Sequence, residues 1–139
     1  MRTRTLSLMA GAGLALCAAV PALAHHSFAA EFDANKPVTI EGVVKEFRWV
    51  NPHSWLHINV TKADGTVEEW AVEGGAPSAL LRRGWTKATL PPGTRVTVQG
   101  FMSKDGALRA NARDITFPDG KTMFIGSSGI GAPDERPGQ

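Results

Sequence analysis

The stretch Val-Thr-Ile-Glu-Gly-Val-Val-Lys-Glu-Phe-Arg-Trp-Val, Val38 to Val50, decides how the rest of the chain is read. It is rich in β-branched and aromatic residues, which favour strand. Its apolar positions change phase along the way. Val38 and Ile40 share one face, and Val43, Phe47 and Trp49 follow on the other. The slip falls around Gly42, and a glycine there predicts a β-bulge that lets one long strand bend and serve two sheets. Asn51-Pro52 ends the strand.

Working toward the C-terminus, Ser54 to Thr61 alternates cleanly, with Leu56, Ile58 and Val60 on one face and Trp55, His57 and Asn59 on the other. The turn Ala63-Asp64-Gly65 predicts a hairpin to a third strand, Val67 to Glu73, on which Trp70 and Val72 share a face. Gly74-Gly75 breaks the sheet. Pro77 to Gly84 reads as one short helix, with proline in its first turn, Arg82 and Arg83 in its last, and a closing glycine. After Pro91-Pro92-Gly93 comes a fourth strand, Thr94 to Met102, with Val96 and Val98 inward. Lys104-Asp105-Gly106 turns into a fifth, Leu108 to Phe117, and Pro118-Asp119-Gly120 folds a last small hairpin onto Lys121 to Ile125. A long bent strand, a hairpin, a short helix and a second hairpin predict an all-β domain over 38–126. The expected fold is a five-stranded OB-fold-like barrel with one helix between strands 3 and 4. A small sandwich of the same elements is the alternative.

Working toward the N-terminus, residues 25–37 read as an arm. Phe28 and Phe32 stand four apart within it, at helical spacing, and could pin it to the barrel. Residues 1–24 have the form of a cleaved signal peptide: Arg2 and Arg4, an apolar run from Leu6 to Val20, and the small-x-small site Ala22-Leu23-Ala24. The run is shorter than a membrane span needs, and no later segment matches it. These features place the protein in the periplasm or outside the cell. The one cysteine, Cys17, lies inside the leader, and Leu16 before it argues against a lipoprotein site. The mature chain would then have no disulfide, so its stability must come from a core. Of 15 basic residues, Arg2 and Arg4 leave with the signal, and the rest balance 13 acidic ones. A neutral secreted protein is a poor partner for nucleic acid, even with Arg95, Arg109 and Arg113 available for a stripe and Trp55 for stacking. The segment after Gly126, residues 127–139, has no periodicity and reads as a disordered tail.

Three segments together carry a resemblance: His25 to Asp33 (His-His-Ser-Phe-Ala-Ala-Glu-Phe-Asp), Val38 to Val44, and Trp49 to Trp55 with its Asn-Pro-His-Ser-Trp motif. They resemble a family of small secreted proteobacterial proteins of unknown function. The resemblance implies a periplasmic single domain of OB-like shape and carries no established activity, so the chemistry must be argued from side chains.

Cleavage after Ala24 would make His25 the first residue, offering its α-amine and its imidazole to one metal ion. The amine has a pKa near 8, so a metal can displace its proton at neutral pH. In the metal reading His25 chelates through both groups, and His26, His53 or His57 supplies the remaining nitrogen. This resembles the histidine brace of secreted copper proteins and suits Cu(II). On an extended strand His53 and His57 stand about 13 Å apart at ~3.3 Å per residue, so both reach one ion only if the chain turns at Asn51-Pro52-His53. Otherwise His25-His26 is simply a chain end, and His53 caps backbone groups where a loop becomes a strand.

Trp55 and Asn59 mark the outer face as a ligand surface, unless Trp55 shares a small cluster with Trp49 or Phe28. Glu69 and Glu73 share a face and Glu68 takes the other, as solvated strand charges do. No nucleophile elbow, zincin motif, phosphate loop or catalytic thiol is present, so no enzyme is expected. Redox chemistry at bound copper is the one enzymatic idea that remains. The partners to consider are a metal ion, an envelope protein or a small ligand, and the alternative to copper binding is a metal-free interaction module working through the outer face.

Overall fold

Strand β1 spans Phe32–Arg48, 17 residues, in a computed structural model that describes residues 27–126. Residues 1–24, expected to be a signal peptide, His25, His26 and residues 127–139 lie outside the described residues. Before β1 comes the single turn α1 (Phe28–Glu31). After it follow β2 (Trp55–Thr61), β3 (Val67–Glu73), α2 (Pro77–Arg82), β4 (Arg95–Ser103), β5 (Arg109–Thr116) and the short β6 (Thr122–Phe124). The strands form one six-stranded sheet in the order β3-β2-β1-β4-β5-β6, with β3 also paired to β5. That extra pairing is parallel, runs from Ala71↔Arg109 to Glu73↔Asn111, and closes the sheet on itself. The fold is therefore all-β, a closed and mostly antiparallel sheet. Among the described residues no helix is long and apolar enough to cross a membrane.

The long strand serves two partners within one closed sheet and not two sheets: Val38 to Val43 pair with β4, and Val43 to Arg48 pair with β2. The bulge, however, is at Lys45, between Val44 and Glu46, and not at Gly42. Ile40, Gly42 and Val44 keep one phase and face inward, Lys45 is the extra residue, and Phe47 resumes the inward side opposite Leu56. Gly42 has a different purpose. A Cβ there would lie 2.5 Å from both the Asn59 carbonyl oxygen and the Ile58 Cγ2, so glycine permits the close crossing of β1 and β2.

The inward face buries Ile40, Val44, Leu56, Ile58, Val72, Val96, Val98 and Ile115, each 3% exposed or less. Each such side chain contributes about 1.5–3 kcal/mol on leaving water. The helix α2 closes one end. Its C-terminus forms a Schellman motif: the Gly84 N–H donates to the Leu81 carbonyl and the Trp85 N–H to that of Leu80, while Gly84 takes φ +85°. The motif swings Trp85 into the core beside Leu80, and its indole N–H donates to the Phe124 carbonyl at 2.9 Å.

A second, smaller apolar cluster lies on the outside of the sheet. Phe28 packs edge-on against Phe101 at 5.5 Å and lies 5.8 Å from Phe32, and both phenylalanines are buried. Phe101 faces Asn111 on β5, so the arm covers the outer side of the strands near the closing seam.

Candidate functional site

Cross-strand pairs share a face, so register alone assembles the outer surface. Trp55 stands opposite Glu73, His57 opposite Ala71, and Asn59 opposite Glu69; beyond the seam Arg109 lies beside Ala71 and Asn111 beside Glu73. The three residues singled out on the outer face of β2, Trp55, His57 and Asn59, are each half-buried there. Trp49 packs edge-on against Phe47, and Phe28 is taken up by Phe101 and Phe32, so both aromatics considered as companions of Trp55 pack elsewhere.

The structure separates His53 from His57 by giving each its own carboxylate. His57 Nδ1 is 3.1 Å from Glu69 Oε1, and Lys45 Nζ is 2.5 Å from Glu69 Oε2. Glu69 is 44% exposed, and the Lys45 ammonium, helped by His57, holds its carboxyl below the ordinary range. This is an exposed ion-pair network of the kind solvated strand faces carry, and such pairs contribute little. His53 leaves the strand line in the loop after the cis Asn51–Pro52 bond and places Nδ1 3.4 Å from Glu73 Oε1. The loop is fixed by Ser54, whose N–H and hydroxyl both donate to the Gly75 carbonyl.

Glu73 departs from the expectation of a solvated charge. It is 8% exposed, at the end of β3, and feels the charge of Glu31 on the arm. Burial pushes its carboxyl up to about 7; the charge of Glu31 pushes the same way, and Arg109 opposes both. The Asn111 side-chain amide donates to Glu73 Oε1 at 3.4 Å, a long bond. Arg109 in turn contacts Glu31 at 3.3 Å and Asp105 at 3.2 Å, and its guanidinium lies 5.7 Å from the Phe32 ring centre. Nothing in the pattern of β3 distinguishes Glu73 from Glu69. The signal that could have found it is the following Gly74-Gly75, where the sheet ends and neighbouring chain closes over the last strand residue.

Two of the three arginines considered for a basic stripe are matched locally: Arg109 by Glu31 and Asp105, and Arg113 by Asp114 at 3.4 Å. Among the described residues no group of three or more His, Cys, Asp or Glu is gathered to hold a metal ion. The pair His53–Glu73 supplies two donors, and the candidates that could add more, His25 and His26, lie outside the described residues.

A family model described as a family of unknown function (DUF6152) matches residues 14–112. Comparison with curated proteins finds no match. Among solved structures, the crystal structure of the mitochondrial single-stranded DNA binding protein Rim1 from S. cerevisiae is similar, with 14% sequence identity and a TM-score of 0.47. That match covers 60% of this chain and 93% of the other. The likeness is too distant to say anything of what this chain binds.

Proposed function

The chain belongs to the family of unknown function DUF6152, and we propose that it is an exported single-domain binding protein of OB-like architecture that holds a copper ion at its processed N-terminus. The OB reading is supported by topology: β1 pairs with both β2 and β4, β3 pairs in parallel with β5, and the helix joins β3 to β4. Export rests on the basic start, apolar run and Ala22-Leu23-Ala24 site of residues 1–24.

One observation carries the metal reading. Phe28 and Phe32 are buried against the sheet, so the chain is anchored three residues after His25. An amine and imidazole on an anchored arm can meet a protein-borne third ligand repeatedly in one place, which a free chain end cannot do. Three nitrogen donors then suit Cu(II).

Intact mass of the exported protein, followed by Cu(II) and Zn(II) titration, tests the reading. A chain that begins at His25 and binds stoichiometric Cu(II) more tightly than a peptide of the same first residues supports it. His25→Ala, or one extra residue before His25, should weaken binding sharply. Processing elsewhere, or affinity no better than the peptide, removes the copper assignment. The half-exposed Trp55 and Asn59 support a second reading, a metal-free interaction module for an envelope protein or small ligand, which Trp55→Ala would impair and His25→Ala would not.

A further inference from the structure

We propose that the end of the barrel closed by α2 is a docking surface for anionic membrane lipid. Leu81 and Val50 enter the headgroup layer, and Arg82, Arg83 and Lys87 meet its phosphates. Copper plays no part in this surface, which shares with the preceding reading only the premise that residues 1–24 are removed.

Three features argue for it. The first is the distribution of charge. Between Glu73 and Asp105 the chain has no acidic residue, yet it carries Arg82, Arg83, Lys87, Arg95 and Lys104. Elsewhere basic side chains are matched: Lys36, Lys45, Lys62, Arg109 and Arg113 each lie within ion-pair distance of a carboxylate. Among the described residues no carboxylate stands that close to Arg82, Arg83 or Lys87. Partial burial holds the Arg83 guanidinium below its ordinary pKa, and the neighbouring Arg82 charge pushes the same way. Positive charge is left uncompensated here.

The second is placement. The turn after α2 swings Trp85 inward and leaves its neighbours outside: residues 81–84 and 86–88 are all exposed. Arg83 is fixed there, its Nη1 donating to the Gly126 carbonyl at 2.9 Å and its guanidinium lying 4.7 Å from the Phe124 ring centre. The loop after β1 reaches the same end. Ser54 bonds to Gly75 beside the start of α2, and Phe47 packs against both Trp49 and Trp85.

The third is apolar exposure beside that charge. The described residues expose four large hydrophobic side chains, and two of them, Leu81 at 57% and Val50 at 43%, belong to this end. Leu81 precedes the two arginines, and Val50 follows the half-buried Trp49. A single exposed leucine is ordinary. Next to unmatched cations it selects among anionic partners, because a soluble polyanion gains nothing from an apolar side chain. A bilayer does gain, since peripheral binding adds buried apolar area to the attraction between cations and anionic headgroups. The tip of the β2–β3 hairpin, at the far end of β3 from α2, offers the contrast: Val67 is exposed there, but Lys62 is held by Glu68.

The test is cosedimentation of the purified protein, its N-terminus read by intact mass, with phosphatidylcholine vesicles made with and without phosphatidylglycerol. The expected result is binding only where phosphatidylglycerol is present, weakening as salt rises. Arg82→Gln and Lys87→Gln should each weaken it about fivefold, while Lys62→Gln, with the same change in net charge, should not. Leu81→Ser should weaken it about fivefold or more, and Val67→Ser should not. Absence of phosphatidylglycerol-dependent binding, or equal losses in Lys62→Gln and Arg82→Gln, overturns the assignment. So does binding that the charge variants lose but Leu81→Ser and Val50→Ser both keep, which would identify a site for an acidic protein or another polyanion. Circular dichroism confirms the fold of each variant, and if Leu81→Ser does not fold, Val50→Ser decides. If intact mass shows residues 1–24 still attached, the export reading fails, while the differences among variants of that chain still decide this one.

Discussion

Glu73 and Asn111 face each other across the parallel seam that closes the sheet, and both are buried, at 8% and 4% exposure. An acidic side chain in that position has exchanged water for one long amide bond, a neighbouring imidazole and an arm bearing Glu31. Burial therefore dominates its titration, and the carboxyl rises from 4.5 to about 7.

A stability prediction follows, with a definite sign. Below pH 4.5 Glu73 is protonated folded or unfolded and contributes no pH dependence. Between 4.5 and 7 the folded chain holds a proton that the unfolded chain has lost, so stability falls as pH rises through that window. Above about 7 the cost is fully present, on the order of 1–3 kcal/mol. Glu73→Gln should remove it. Urea denaturation of both chains with chelator, at pH 5 and pH 8, should show the variant gaining on the parent only at the higher pH. A difference that does not change with pH would mean that Glu73 titrates normally.

Gly42→Ala should be far more damaging than its size suggests. The added methyl meets the Asn59 carbonyl oxygen and Ile58 Cγ2, both at 2.5 Å, and the oxygen is backbone in the paired strand. Relief requires β1 and β2 to separate, at a cost of about 2–4 kcal/mol. Gly65→Ala is the comparison: it sits at φ +85° in open space and should lose only about 1 kcal/mol. Equal midpoints in denaturant for the two variants would contradict the crossing argument.

These two residues also show where sequence reading succeeds and where it stops. Periodicity located β2 to β5 and the later part of β1, because their inward residues recur every second position on one face toward the core. It misplaced the bulge, because Val43 and Val44 are adjacent and both apolar, so either phase fits until pairing with β2 decides. It could not distinguish Glu73 from Glu69, because their difference is made by chain far away in sequence: the arm, the His53 loop and the parallel neighbour Asn111. The spacing of Phe28 and Phe32 was legible as an anchor. The strand that begins at Phe32 and carries Pro37 was not.

Trp85→Phe tests how the last strand is held. The substitution deletes an indole N–H that donates to the Phe124 carbonyl at 2.9 Å and leaves a gap where a fully buried ring had packed. Lost packing and one lost bond together cost about 2–4 kcal/mol. The loss should be felt first at β6, so exchange of the Ile125 amide, which donates to the Arg113 carbonyl, should accelerate more than that of Val98. Uniform acceleration across the sheet would mean that Trp85 supports the whole barrel equally.

Phe28→Ala separates the arm from the barrel. A buried phenylalanine cut to alanine commonly costs 3–5 kcal/mol. Here the loss is capped by the docking energy of the arm itself, since α1 can lift away while the closed sheet stays intact. Global stability should therefore fall by less than the local effect. The Lys104 N–H donates to the Glu31 carbonyl at 2.9 Å and reports directly on docking. Its hydrogen exchange should quicken roughly a hundredfold for a local loss near 3 kcal/mol, while Val98 stays protected. If Lys104 and Val98 quicken together, the arm belongs to the barrel's own cooperative unit, and the picture of a separately docked anchor fails.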